Sequence, residues 1–240
     1  MVPGLAPLAL ADSSGPPSTA PADTQAVLRT ALLQLSDRDP AVREAAREQL
    51  MGLPSSDLPA LRTAVLQLKP LPPGNADALR DIVKQVYLSG ENTEGDSRHG
   101  FMGISMNQFQ MVYSDNDSDP DLPVGVIVEM RLPGFDAYRV LRDGDIILAI
   151  ASDASGTLRI HEPQQIMDAV ALLAAGQHVR LQVLRNGRRI ETTLTLDPRP
   201  VELDTKQPAV NPNNYRKAQE DKAQAFWLAR FAPLVANSIS

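Results

Sequence analysis

The stretch AVALLAAGQHVRLQVLRNGRRIETTLTL at residues 169–196 decides the fold of the second half of the chain. Its first residues have helical spacing, Gly176 ends that pattern, and two alternating runs follow at 179–184 and 190–196. Asn186 and Gly187 lie between the runs. This pair is typical of a two-residue hairpin turn, because both turn positions need a positive φ. The stretch therefore predicts a helix that leads into a β-hairpin.

The segments before this stretch extend the pattern to a small domain. Ile166, Val170 and Leu173 form the core-facing stripe of a helix over 163–175. The runs VGVIVEM (124–130) and DIILAI (145–150) predict two strands, with a short amphipathic helix at 135–141 between them. Strand-type periodicity begins at Gly100. This order of strands and helices within about a hundred residues indicates the α+β class.

Two more motifs make the pattern specific. HGFMGISM (99–106) places a glycine turn before an edge strand, and LRDGDIILAI (141–150) places a tight Asp143-Gly144 turn before a buried strand. Together with residues 169–196, and in this order, they resemble a PDZ domain of the bacterial HtrA-associated type. The resemblance covers residues 98–198 and implies a β-sandwich or partly open barrel with two helices. Val140 stands where the family usually has glycine, and the loop 108–122 is longer and more acidic.

The resemblance implies peptide binding by strand addition, in which a ligand strand pairs with an exposed sheet edge and its terminal carboxylate binds backbone N–H groups. Those N–H groups would belong to Met102, Gly103 and Ile104, with Gly103 permitting close approach. The groove residues would be Arg98, His99, Phe101, Ser105, Met106, Asn107, Gln165, Ala169 and Leu172. Arg98 or His99 would assist the carboxylate by charge. The alternative for residues 101–104 is an ordinary buried strand start with a glycine bulge.

The first half of the chain predicts a different architecture. Residues 23–89 have the spacing of four short helices, which favours a small helical unit. Within it, residues 32–50 resemble one HEAT-type repeat through the pattern D-x-D-P-x-V-R-x-A-A at 37–46. Residues 1–22 are interpreted as an export-signal remnant or disordered linker, because Ala9-Leu10-Ala11 has the A-x-A form that signal peptidase cleaves. A polar linker at 90–98 follows the helical unit.

The C-terminal part, 199–240, is predicted to be a proline-rich connector followed by one amphipathic helix over 213–236. That helix carries Phe226, Trp227 and Phe231, which we expect to dock on the protein's own surface. A partner or membrane-surface contact is the alternative.

Composition excludes several classes of function. The 240 residues include 23 Lys and Arg against 29 Asp and Glu, a net charge of −6 that disfavours nucleic-acid binding. The chain has no cysteine, so thiol catalysis, disulfides and thiolate metal sites are absent. Asp115, Asp117, Asp119 and Asp121 alternate like the start of a calcium loop. However, Pro120 and Val126 replace the Gly and Glu that an EF-hand needs, so a solvated acidic loop is expected.

These features together predict a non-catalytic adaptor that binds the C-termini or extended segments of proteins, with no cofactor and no metal. No G-x-S-x-G or G-N-S-G-G nucleophile turn occurs in the sequence, which argues against a serine protease. The alternatives are a regulatory, non-protease subunit of a periplasmic HtrA-like system, with a protease as partner, and an envelope scaffold with an unused groove. In the scaffold, the C-terminal helix could fill the groove. The expected location is periplasmic or secreted, with a cytoplasmic location as the alternative.

Overall fold

The computed structural model of the chain describes residues 22–68, 71, 74–91, 95–109, 124–153, 156–203 and 212–236. The A-x-A motif at residues 9–11 and the aspartates at 115–121 lie outside these ranges, so the export and acidic-loop predictions stay predictions.

The described residues form an α+β fold, which confirms the predicted class. Its helices are α1 (Ala22–Gln34), α2 (Pro40–Met51), α3 (Leu58–Gln67), α4 (Asn75–Glu91), α5 (Asp136–Val140), α6 (Pro163–Ala171), α7 (Pro212–Arg230) and α8 (Ala232–Ala236). Its strands are β1 (Gly95–Phe101), β2 (Ile104–Phe109), β3 (Gly125–Arg131), β4 (Ile146–Ser152), β5 (Gly156–Arg159), β6 (His178–Arg185), β7 (Arg188–Thr195) and β8 (Asp197–Pro200). None of the described helices is both long enough and apolar enough to cross a membrane.

The strands form one large antiparallel sheet and one separate pair. The large sheet has the order β2-β3-β4-β6-β7, with β5 paired to β4, and β1 pairs with β8. Strand β4 lies in the middle and is almost completely buried, as its continuous apolar sequence IILAI requires. Strand β2 is an edge strand, because β3 is its only partner among the described strands.

Two turns follow directly from the motifs. Asn186 and Gly187 have φ values of 51° and 76°, so the Asn-Gly pair forms the expected tight turn between β6 and β7. In the LRDGD motif, Gly144 has a φ of 90° and Asp145 is buried. The Asp145 carboxylate accepts hydrogen bonds from Arg185 at 2.8 and 2.7 Å and from the Arg142 N–H at 2.8 Å. Through Asp145, the motif therefore links the turn to Arg185 at the end of β6.

The C-terminal helices belong to the core of the helical unit. Trp227 and Phe231 are buried in the same apolar cluster as Leu61, Ile82 and Val86, and their rings stack at 6.0 Å. Burying side chains of this size stabilises a fold by about 2 kcal/mol each. The expectation that these aromatics dock on the protein itself is confirmed. The idea that the C-terminal helix fills the peptide groove is wrong, because α7 packs against α4.

Several element boundaries differ from the prediction. Helix α4 continues to Glu91 and β1 begins at Gly95, within the stretch 90–98 that was interpreted as a linker. Strand β8 (Asp197–Pro200) takes in residues 199 and 200 of the predicted connector, because it pairs with β1. The predicted final helix is divided at Phe231 into α7 and α8. Helix α6 ends at Ala171, so Leu172 caps the helix instead of lying within it.

Candidate functional site: a groove between an edge strand and a helix

The turn between β1 and β2 has a conformation that requires glycine. Gly103 has a φ of 68°, a left-handed value that L side chains rarely adopt. A Cβ atom at this position would lie under 3.0 Å from Cβ, Cγ and Cδ2 of Phe135. The Gly103 carbonyl accepts a hydrogen bond from the Leu132 N–H at 2.7 Å. The turn is therefore held tightly on one side by the 132–135 segment.

Backbone donors are available on this turn. Across the part of the chain that the structure describes, the N–H groups of Met102 and Gly103 donate to no acceptor. Unpaired N–H groups on successive residues, one of them with positive φ, form the kind of backbone concavity that binds anions. Ile104, the third predicted donor, is the first residue of β2.

The residues of β2 and α6 that would line the predicted groove include several apolar side chains. Ile104 and Met106 are partly buried and pack against the same cluster as Ala169 of α6, and Met102 is buried in it. Strand β1, which precedes the turn, is joined to the segment that follows α6, because the Gly100 N–H donates to the Leu173 carbonyl at 2.7 Å. Residues of β2, the turn and α6 therefore share one apolar cluster, and the β2–β3 pairing has a bulge between Ser105 and Met106.

Helix α6 presents some of its predicted groove residues and uses another for capping. Ile166 and Val170 are buried, while Leu172 at the helix end is 81% exposed. The Gln165 side-chain oxygen accepts from the N–H groups of His161 and Glu162 at 2.7 and 3.2 Å, as part of a capping box. Gln165 therefore fixes the start of the helix, and its oxygen is not free for a ligand.

The predicted charged residues beside the turn pair with a neighbouring carboxylate. Arg98 Nε and Nη2 donate to the Asp96 carboxylate at 3.0 and 3.1 Å, and His99 Nδ1 lies 3.4 Å from it. The hydrogen bonds from Arg98 hold the pKa of Asp96 well below its ordinary value. Arg98 and His99 are exposed, so a ligand carboxylate would compete with Asp96 for them.

Three predicted groove residues have other neighbours. Phe101 belongs to a second apolar cluster, where its ring meets that of Phe135 edge-on at 5.2 Å, so it supports the turn from behind. The Asn107 amide donates to Glu129 on β3 at 3.2 Å. Ser105 is partly buried opposite Met130 in the strand pair.

Sequence reasoning missed the residues that support the turn. Phe135 is completely buried, and its backbone carbonyl accepts a hydrogen bond from the buried Gln85 side chain of α4 at 3.0 Å. The available signal was a polar residue among Ile82, Val83 and Val86 on an apolar helix face. Metal ligation has no support within the described ranges, where His, Asp and Glu form no cluster of three or more able to hold an ion.

This chain has only limited similarity to known proteins. No family model and no curated protein matches the chain. Two solved structures of the HtrA-type protease AlgW with decapeptide, the first of them a substituted form of the enzyme, have 25% and 22% sequence identity. The TM-score is 0.34 in both cases, and the matches cover 42% and 52% of this chain. The matched parts span 30% and 35% of those protease chains.

Proposed function

We propose that the chain is a non-catalytic adaptor whose PDZ-like domain binds peptide C-termini by strand addition along β2. The observation that carries the proposal is the position of the Met102 and Gly103 N–H groups, which have no acceptor among the described residues, at the start of an edge strand that contacts α6. A ligand strand on that edge would supply the backbone partners that an edge strand lacks. Its terminal carboxylate would then reach the free donors.

The groove favours an apolar last side chain. Ile104, Met106 and Ala169 are partly buried at its base, and Leu172 stands exposed at its end. A ligand side chain placed among them would remove apolar surface from water, at about 25 cal/mol for each Å² buried. The shared chemistry of the ligands would therefore be a free carboxylate next to an aliphatic or similar apolar residue.

The absence of catalysis and the location of the protein belong to the same proposal. The sequence has no nucleophile turn, so the adaptor would act by binding alone. The A-x-A motif at residues 9–11 supports export, and its partners would then be periplasmic or secreted proteins. The HEAT-like interpretation of residues 32–50 gains no support from the comparisons and stays a prediction.

The test compares matched peptides on the full chain. Short peptides that end in an apolar residue would be titrated by calorimetry, each as the free acid and as the C-terminal amide. We expect the free acids to bind at least about tenfold more tightly, a difference of about 1.4 kcal/mol, because the amide removes the charge that the N–H groups bind. Equal binding of both sets would contradict carboxylate recognition, and no binding would contradict the peptide-binding function.

A further inference from the structure

The turn of the peptide site rests on a single aromatic side chain. The ring centroids of Phe135 and Phe101 are 5.2 Å apart. The Cβ and ring atoms of Phe135 leave no room for a side chain at position 103. The Gly103 carbonyl is fixed by the Leu132 N–H, three residues before Phe135. The position of the Met102 and Gly103 N–H groups is therefore set by the 132–135 segment and not by β1 and β2 alone.

That segment is in turn held by one residue of the helical unit. Gln85 Nε2 donates to the Phe135 carbonyl at 3.0 Å, and Gln85 Oε1 accepts from the Gly134 N–H at 2.6 Å. Gln85 is 2% exposed, so no water replaces these bonds if the amide is lost. Removing it would leave the buried Gly134 N–H without an acceptor among the described residues. It would also take one of two hydrogen bonds from the Phe135 carbonyl, which accepts from the Tyr138 N–H at 3.0 Å as well.

Helix α4, which carries Gln85, is firmly placed. Ile82, Val83 and Val86 of this helix are fully buried in the core that also holds Trp227 and Phe231 of the C-terminal helices. Tyr215, near the start of α7, packs in the same small cluster as Phe135. The helical core therefore holds the turn through two residues. Gln85 binds the backbone of the 134–135 segment, and the Phe135 side chain lies against Gly103.

We infer that Gln85 is a positioning residue of the peptide site, through which α4 holds the carboxylate-binding turn in its binding conformation. The inference rests on the proposed function and goes beyond it, because it makes the helical unit a functional part of the groove. The reason is geometric: a turn that can shift loses the alignment of its donors, and ordering it again costs binding free energy. The helical unit and the ligand are then coupled, and each favours the placement of the turn that the other needs.

The test uses the full chain with Gln85→Met, which keeps the side-chain length and removes both hydrogen bonds. We expect the dissociation constant of a free-acid peptide to rise about tenfold, and the amide NMR resonances of Met102 and Gly103 to shift in the absence of peptide. The resonance shift reports on the conformation of the turn itself. A general loss of stability would leave the two resonances of the folded protein unchanged.

The matched control is Asn75→Leu on the same helix. Asn75 is also buried, but its amide donates at 3.1 Å to the Leu32 carbonyl inside the helical unit and not to the turn. We expect it to lower stability and to leave both peptide affinity and the two resonances unchanged. If Gln85→Met does not fold, Phe135→Leu tests the same link from the side of the turn, because it keeps the backbone bonds of Gln85 and removes the ring.

The outcomes separate the two proposals. Suppose that the unsubstituted chain binds the peptide and that Gln85→Met and Asn75→Leu both bind it with the same affinity as the unsubstituted chain. That result would overturn the positioning role of Gln85 alone. Equal affinity in Phe135→Leu and the unsubstituted chain would do the same. An unsubstituted chain that binds no free-acid peptide would overturn the proposed function, and the inference with it.

Discussion

Gly103 is subject to two independent constraints. Its φ of 68° excludes most side chains on backbone grounds, and Phe135 excludes any Cβ atom on steric grounds. Gly187 in the β6–β7 turn has a similar φ of 76° but has nothing within 4 Å of a Cβ placed there. The two glycines therefore form a natural pair for separating backbone strain from the function of the site.

Replacing Gly103 by alanine should weaken peptide binding more than it weakens the fold. We expect Gly103→Ala to raise the dissociation constant of a free-acid peptide at least about tenfold, because Phe135 must move and the donors move with it. Gly187→Ala should cost about 1 kcal/mol of backbone strain and leave binding intact. The measurement is peptide titration of both folded variants, and equal binding by both would contradict the role of Gly103.

Asp197 is the titratable residue with the clearest effect on stability. Burial raises the pKa of Asp197 to about 7. The charge of Asp136 also raises it, whereas the hydrogen bond from the Asp136 N–H lowers it. Because this pKa is raised in the folded state, the residue stabilises the fold fully below its unfolded pKa of about 3.9 and loses that contribution as the pH rises through 7.

Asp197→Asn should therefore stabilise the protein at high pH only. The asparagine keeps an oxygen for the Asp136 N–H and removes the buried charge. We expect the free energy of unfolding to increase by about 2 kcal/mol at pH 8 and to be unchanged near pH 4. The increase stays below the limit of about 4 kcal/mol that the change in pKa allows. The measurement is denaturant unfolding of both proteins across this range. Asp153→Asn, at a fully exposed site, is the control, and a difference independent of pH would refute the explanation.

At the scale of elements, α6 combines a capped start with an exposed end. The capping box of Glu162 and Gln165 fixes where the helix begins, and Ile166 and Val170 attach it to the core. Leu172 contributes little to this packing, since it is 81% exposed. This exposed leucine at the end of α6 has little role in stability, which leaves it available for the proposed contact with a ligand.

Leu172→Ser should weaken peptide binding without weakening the fold. We expect a loss of about three- to tenfold in affinity for peptides with an apolar last residue, because about 1 kcal/mol of apolar contact is removed. Stability should change by less than about 0.5 kcal/mol, as is usual for exposed sites. Met167→Ser, on the same helix and 48% exposed, serves as the control, and an equal effect of both on binding would count against Leu172 as a groove residue.

The elements show what the sequence can and cannot reveal. The Asn-Gly hairpin, the buried strand β4 and the core stripe of α6 depend on local turn chemistry and periodicity, and all three were predictable. Strands β1 and β8 were not, because neither has an alternating apolar pattern and each pairs only with the other, about a hundred residues away along the chain. The resemblance to PDZ domains implies a groove position for Gln165, whereas its side-chain oxygen accepts hydrogen bonds from the start of α6.

At the scale of the whole molecule, the two halves are joined through α4, α5 and the C-terminal helices. Besides Gln85, the junction has an ion pair between Glu44 and Arg142 and a hydrogen bond from Arg47 to the Arg139 carbonyl at 3.5 Å. Beside it lies an open cleft of about 510 Å³ lined by α2 on one side and by Asp136, Arg139 and Thr195 on the other. Such contacts between distant segments leave no periodic signal, so the sequence predicted two units but not their junction.

In the proposed mode of binding, a peptide adds a strand to β2 and places its carboxylate on the 102–103 turn. The most direct measurement is a titration of the isotope-labelled full chain with a free-acid peptide, followed by amide NMR. We expect the largest shifts at the Met102 and Gly103 amides, together with slower hydrogen exchange along 104–107, because these groups gain hydrogen bonds. The C-terminal amide of the same peptide should lose the shifts at the turn. Largest changes elsewhere, such as around Glu48 and Arg139 at the cleft, would contradict the claim.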